Sequence, residues 1–456
     1  MTKQVVVLEL NEFNTELLTQ AVKEHALPNL AKVLAFKKAH YKTDDRYNSG
    51  YLEPWVQWVS IHSGTPSSKH HIKHLGDVPD LAFEQCWETL SAHGVSTGVW
   101  GVMNGARNKA KQVPFFLPDP WTFQEQGYPK KLNHLLDLPR YISKNYQNLN
   151  PLKLLTKGVG LIHFILTSGA SLKILQHTLK LFKDMRQYGK KHFVFISYFD
   201  YISTLLFCEY KKKYNPQCAI IFLNSLAHLQ HHHWKKGPHT VTPEILHGLK
   251  TIDKVLAYLF ATFPDNAFVV HNGLSQMNTN HERAWILYRQ KDPMRFLKAL
   301  HIPAIAVEQH MTHDGHVFFA NKEDCQKAYT ELKEATLLDK PLFHVEFNEH
   351  DNCKLFYMLK FTDELSDKNI TFTFRNEHYP FFEHFDSIVK RTGRHIPFGT
   401  VFSDTIHFPD QIYNHDFNRY LFNYFKPDEF ALPVFDEESE EVEHYEEDLE
   451  EEHQLL

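Results

Sequence analysis

The sequence predicts an α/β fold in which a mostly parallel sheet is sandwiched by helices, and three observations carry that expectation. Apolar runs of strand length recur along the chain, and segments of helical periodicity follow them. The runs are apolar throughout instead of alternating, which is the pattern of strands buried on both faces. With 456 residues, 43% of them hydrophobic, the chain fills a sizeable core.

The elements follow in order. "VVVLEL", Val5 to Leu10, is β-branched and apolar, and in the next segment, "NEFNTELLTQAVKEH", Leu17, Leu18 and Val22 recur at helical spacing. "PNLAKVLAF" reads as a second helix opened by Pro28. The helix "FEQCWETLSAH" precedes a buried strand in "GVSTGVWGV", Gly94 to Val102. Residues of about 118–190 combine aromatic, proline and long helical patterns, so they read as a helical insertion or cap. Strands are expected to resume at "HFVFISYF", His192 to Phe199, and at "CAIIFLN", Cys218 to Asn224. "TPEILHGLKTIDKVLAYLFATF" is a long amphipathic helix, and "PDNAFVVHNG" supplies a turn and another buried strand. Residues 1–435 are thus expected to form one α/β domain carrying the insertion, followed by an acidic disordered tail over 436–456.

Composition narrows the function classes. The apolar run near the start is too short for a signal-peptide core, and "GVGLIHFILTSGASLKIL" falls short of the ~20 apolar residues of a membrane span while carrying His163 and Lys173. It reads as a buried or amphipathic helix, so no integral membrane segment is expected. Five cysteines without a CxxC pair suit reduced thiols and a cytoplasmic location. The net charge of −6 is uneven: Asp436 to Leu456 holds twelve acidic residues, leaving 49 basic against 43 acidic residues elsewhere. That small, dispersed excess argues against a nucleic-acid partner. The glutamate-rich end resembles those of some bacterial secretion-system effectors, which implies a protein-binding role or export by a specialised system.

Ligands of parallel sheets sit beyond the carboxyl ends of the strands, which selects Asn11, Asn224, His271 and Asn272. Their order and context resemble the alkaline phosphatase superfamily of phosphatases, nucleotide pyrophosphatase/phosphodiesterases, sulfatases and phosphomutases. In that family a first strand ends in a metal-binding Asp, where "VVVLELNEF" has Asn11. A later strand ends in Asp with a His four residues on, matching Asn224 and His228 in "FLNSLAH". A strand ending in Asp-His-Gly matches His271 and Asn272, and the last ligand, in a G-x-H-x-x-x-G segment, matches His395 in "TGRHIPFG". "EPWVQWVSIHSGTPSSKHH" resembles the nucleophile helix through Trp58, Ser60, Ser63, Gly64 and His70.

The resemblance implies a metal-assisted hydrolase or transferase, phosphodiesterase-like, that acts on a small-molecule phosphate or sulfate ester with a divalent ion: zinc, with manganese as the alternative. Its metal ligands would be Asn11, Asn224, His228, His271, Asn272 and His395. Three carboxylates of the family pattern are replaced by two amides and an imidazole, and Pro54 stands at the nucleophile position. The loss of charge favours one ion over two. Glu12 and Glu53 adjoin the altered positions and offer compensating carboxylates; Glu53 is the candidate catalytic residue, in a single displacement by water. The alternative is a degenerate member that binds its ligand without turnover. His231, His232 and His233 are consecutive and cannot all face one ion, so they are expected on the surface of a helix.

Overall fold

The computed structural model describes residues 3–429 apart from 44–51, 109, 146–148, 190, 236, 238, 281, 283–284, 311–312 and 349–350. The acidic tail expected over 436–456 lies outside the described residues.

An eight-stranded sheet forms the centre. Its strands are β1 (Val5–Leu10), β2 (Lys37–Lys42), β3 (Thr97–Val102), β4 (Phe116–Pro118), β5 (Cys218–Leu223), β6 (Ala267–His271), β7 (Phe398–Ser403) and β8 (Gln411–Tyr413), in the order β8-β2-β7-β6-β1-β5-β3-β4. Strand β1 pairs in parallel with both β5 and β6, and β7 alone runs antiparallel to its neighbours in this sheet. The expected α/β class with a mostly parallel sheet is what the chain adopts.

Side chains of β1 alternate between two apolar layers, as period-two geometry requires. Val6, Leu8 and Leu10 enter one core with the helices Thr15–Glu24 and Pro28–Leu34. Val5 and Val7 enter the other, packed by α1 (Pro54–Ser63) and by helices Cys86–Ala92 and Asp416–Phe425. Burial on both faces explains why these strands carry no polar alternation. The helical insertion includes Asn133–Asn145, α2 (Pro151–Leu166) and α3 (Ser171–Tyr188).

One expectation fails here. "HFVFISYF" is not a strand but the first two turns of α4, His192–Tyr214, whose Phe193, Val194, Ile202, Leu205 and Leu206 enter the first core. A short continuous apolar run fits a buried helix and a buried strand equally well, so periodicity does not separate them. After β5 come α5 (Ser225–His233) and α6 (Pro243–Thr262). A third core draws on residues between Ile286 and Phe385, around a four-stranded antiparallel sheet that includes Asp314–Phe319 and Lys354–Leu359.

Candidate metal centre

The chain leaves β1 through Asn11 and Glu12, and Glu12 adopts a left-handed backbone with φ of 58°. Left-handed backbone is uncommon for a residue with a Cβ and is kept where its surroundings enforce it. Here the Glu12 N–H donates to the Asn272 carbonyl at 3.2 Å, and the Glu12 carbonyl accepts from Gln230 Nε2 at 2.6 Å. The turn aims the carboxylate at two imidazoles. Glu12 Oε2 lies 3.0 Å from His231 Nε2 and 3.0 Å from His395 Nε2, and the two nitrogens are 3.3 Å apart.

Different elements bring each partner. His231 occupies the last turn of α5, and its backbone carbonyl accepts from Thr392 N at 2.7 Å. His395 lies on the strand Gly393–Ile396, opposite Gln276 of the antiparallel strand Ser275–Asn278. Gln276 Nε2 donates to the same Glu12 oxygen. Gly393 permits this approach: a Cβ there would lie 2.5 Å from Gln276 Oε1 and 2.8 Å from the Gln230 carbonyl.

The charges are uneven. Burial alone would raise the Glu12 pKa, but the charges of His395 and His231 and their hydrogen bonds outweigh it and hold it well below the ordinary carboxylate value. Burial pushes His231 down to about 4, with the attraction of Glu12 only partly offsetting it. His395 shifts the other way: burial opposes its charge, but Glu12 and then Glu53 overcome that opposition. Glu53 Oε2 lies 3.5 Å from His395 Nδ1, which accounts for the difference between the two histidines. Glu53 is the N-cap of α1, yet its side chain makes no capping bond, and burial raises its pKa before His395 and Arg391 partly offset it. The Arg391 guanidinium sits 4.7 Å from the Trp285 ring centroid, and its charge acts on Glu53, Glu12 and Asp314.

Two imidazole nitrogens and a carboxylate oxygen, all within 4.8 Å of one another, match the ligand chemistry of a three-donor zinc site. The donor set fits the ion implied by the resemblance, with a composition the sequence pattern did not supply.

The remaining predicted residues fall around this cluster or away from it. Asn11 Nδ2 donates to Glu12 Oε1 at 2.6 Å and to Asn224 Oδ1 at 2.8 Å, while Asn11 Oδ1 accepts from Trp58 Nε1 at 2.7 Å. Its oxygen is therefore committed to an indole and its amide group to holding Glu12. Asn224 also approaches His228 Nε2 at 3.4 Å, and burial pushes the His228 pKa down to about 4. His271 faces the other layer, stacked on Phe417 and edge-on to Trp58, with Nδ1 3.2 Å from the Tyr41 hydroxyl. Asn272 is used on both sides: its Nδ2 donates to the Phe13 carbonyl at 2.7 Å, and its Oδ1 accepts from Thr400 N at 2.8 Å. Glu9 pairs with His62 at 2.8 Å, away from Glu12.

His231 was expected on the surface, but its side chain is 12% exposed. His232 and His233 are half-buried as well, His232 packing near His228 and His233 against Phe193, and of the three only His231 meets Glu12. The available signal was the i, i+3 relation of His228 and His231, which share a helix face.

No protein-family model matches the sequence, and no curated protein does. Solved structures similar over most of the chain include human ectonucleotide pyrophosphatase/phosphodiesterase 5, with a TM-score of 0.46 and 10% identity over 95% of this chain and 97% of that one. The inactive murine ectonucleotide pyrophosphatase/phosphodiesterase 5 in complex with AMP matches with a TM-score of 0.45 and 10% identity over 95% and 97%. Phosphonoacetate hydrolase from Sinorhizobium meliloti 1021 in complex with phosphonoformate matches with a TM-score of 0.40 and 11% identity over 92% and 95%.

Proposed function

We propose that this chain is a divergent member of the alkaline phosphatase superfamily and a hydrolase of phosphate or sulfate esters, phosphodiesterase-like, that uses one divalent ion, preferably zinc. The convergence of Glu12, His231 and His395 carries the reading, because these three donors come from distant segments and meet at one point. Glu12, His231 and His395 would hold the ion, and the ion supplies Lewis acidity that polarises an ester oxygen and acidifies water.

The chain's own groups take the other roles. Glu53, with its raised pKa and its place beside His395, accepts the proton of the attacking water as a general base. Arg391 offers a cation to the anionic oxygens of the ester. Asn11 and Asn224 form a hydrogen-bonded chain that fixes the Glu12 carboxylate. Pro54 opens α1 at the position where the family carries its nucleophile, so water attacks in one displacement and inverts the configuration at phosphorus.

A second reading, binding without turnover, is favoured by one observation: the Trp58 indole occupies the Asn11 oxygen where a second ion would sit in the family pattern. The test combines metal analysis of purified protein with turnover of phosphate diesters, phosphate monoesters and sulfate esters. A stoichiometric ion with inverted, oxygen-labelled product supports hydrolysis. Folded, metal-loaded protein with no turnover across the panel selects the binding-only reading, and retained configuration refutes the single displacement.

A further inference from the structure

Helices α2 and α3 expose what the rest of the chain buries. On α2, Leu152, Leu155, Val159, Ile162 and Leu166 are each more than half exposed, and at ~100° per residue they fall within an arc of roughly 80°. On α3, Leu172, Leu175, Leu179 and Phe182 repeat the pattern, each also more than half exposed. The inner faces are anchored, since Phe164 of α2 and Ile174 of α3 both enter the first core. The outward stripes are therefore fixed, α2 packing on the helix Asn133–Asn145 and α3 on α4. Apolar faces of this extent on a soluble surface mark an interaction site.

The charge around the stripes identifies the partner. Between Pro151 and Tyr188 there are six Lys and Arg residues against one acid, Asp184. Lys183 and Arg186 are exposed and fall in or beside the α3 stripe, whereas Lys153 of α2 is exposed on the side that carries Phe164. A second copy of this chain would bring like charges together at the same face, whereas anionic lipid phosphates would neutralise them. The sixteen residues of α2 fall short of a membrane span, which needs ~20, so the geometry suits a helix lying in the interface plane. Among the described residues no helix is long and apolar enough to cross a membrane.

We propose that α2 and α3 dock on a membrane surface bearing anionic phospholipid, with their apolar stripes at the acyl boundary and Lys183 and Arg186 at the phosphates. The inference is independent of the metal centre. It is tested by co-sedimentation of the full chain with vesicles of phosphatidylcholine alone and of phosphatidylcholine mixed with phosphatidylserine. The protein should partition onto the mixed vesicles at least about tenfold more strongly, and salt should weaken the binding. The exposed-site double variant Ile162→Glu/Leu179→Glu, with unchanged circular dichroism and elution volume, should stay in the supernatant. No sedimentation with either vesicle, equal partition onto both, or undiminished sedimentation of the double variant would each overturn the proposal. Concentration-dependent dimers abolished by the same variant, without vesicle binding, would show that a second copy covers the face.

Discussion

Glu12 supplies the charge that Asn11 lacks, one residue further along and only because the backbone turns left-handed there. The strand-end rule drew attention to this part of the chain, and Glu12 and Glu53 were both legible as neighbouring carboxylates. Which carboxylate would meet which histidine was not legible, because it depends on that turn and on the rotation of α5, and neither leaves a mark on residue spacing. With a ligand set of Glu12, His231 and His395, removing one donor should weaken zinc binding at least on the order of a hundredfold, beyond what loss of a supporting hydrogen bond costs. Glu12→Gln and His231→Ala should therefore lose the ion in a competitive chelator titration, while His232→Ala should keep it. Equal loss from His232→Ala would assign the ion to the histidine tract as a whole. Glu53 is tested separately: Glu53→Gln should retain the ion and lower kcat by about 10²-fold or more with little change in KM, as removal of a general base does.

At the scale of elements, the strands of the central sheet were readable because burial on both faces writes a continuous apolar run. The same signal misled at His192, where α4 is buried along much of its length and so resembles a strand over its first eight residues. This helix also supports α5, which carries His231. Asp200 of α4 accepts from the Ser225 N–H at 2.9 Å, serving the N-terminus of α5 in place of Asn224, which makes no side-chain cap. Burial raises the Asp200 pKa from 3.8 to about 6, although the bonds from Ser225 and Asn224 oppose the rise. The folded protein thus holds this proton more tightly than the unfolded chain. Its contribution to stability is full below about pH 4 and is lost as pH rises through about 6. Asp200→Asn keeps an acceptor for Ser225 without the buried charge, so it should stabilise the protein by about 1–2 kcal/mol near pH 7.5. The advantage should vanish near pH 3, and urea unfolding at the two pH values measures it.

At the scale of the molecule, the order of strand-end residues made the central α/β architecture legible, but the antiparallel sheet around Asp314–Phe319 and Lys354–Leu359 left no comparable signature. Two of its three pairings are local hairpins, Ala304–Gln309 with Asp314–Phe319 and Phe343–Phe347 with Lys354–Leu359, but the pairing that joins the two hairpins spans the helix Lys322–Glu334. Its attachment to the α/β body was still less readable, because it includes a buried pair between residues 277 positions apart. Lys354 Nζ donates to Asp77 Oδ1 at 2.9 Å, His316 Nε2 lies 3.7 Å from the same oxygen, and His74 stacks on Phe356 at 3.6 Å between ring centroids. Removing one partner of such a pair leaves the other charge buried and uncompensated, which costs about 3–5 kcal/mol, whereas replacing both by apolar groups is nearly neutral. Asp77→Ala should therefore destabilise strongly, and Lys354→Met in the same chain should recover most of the loss, giving a large coupling energy in a double-mutant cycle. Hydrogen exchange locates the effect. In Asp77→Ala, protection should fall first in Asp314–Phe319 and Lys354–Leu359 while β1 and β5 stay protected, and the double variant should restore it. Uniform loss of protection across all four strands, or a double variant no more stable than Asp77→Ala, would show that the pair does not hold the antiparallel sheet to the body.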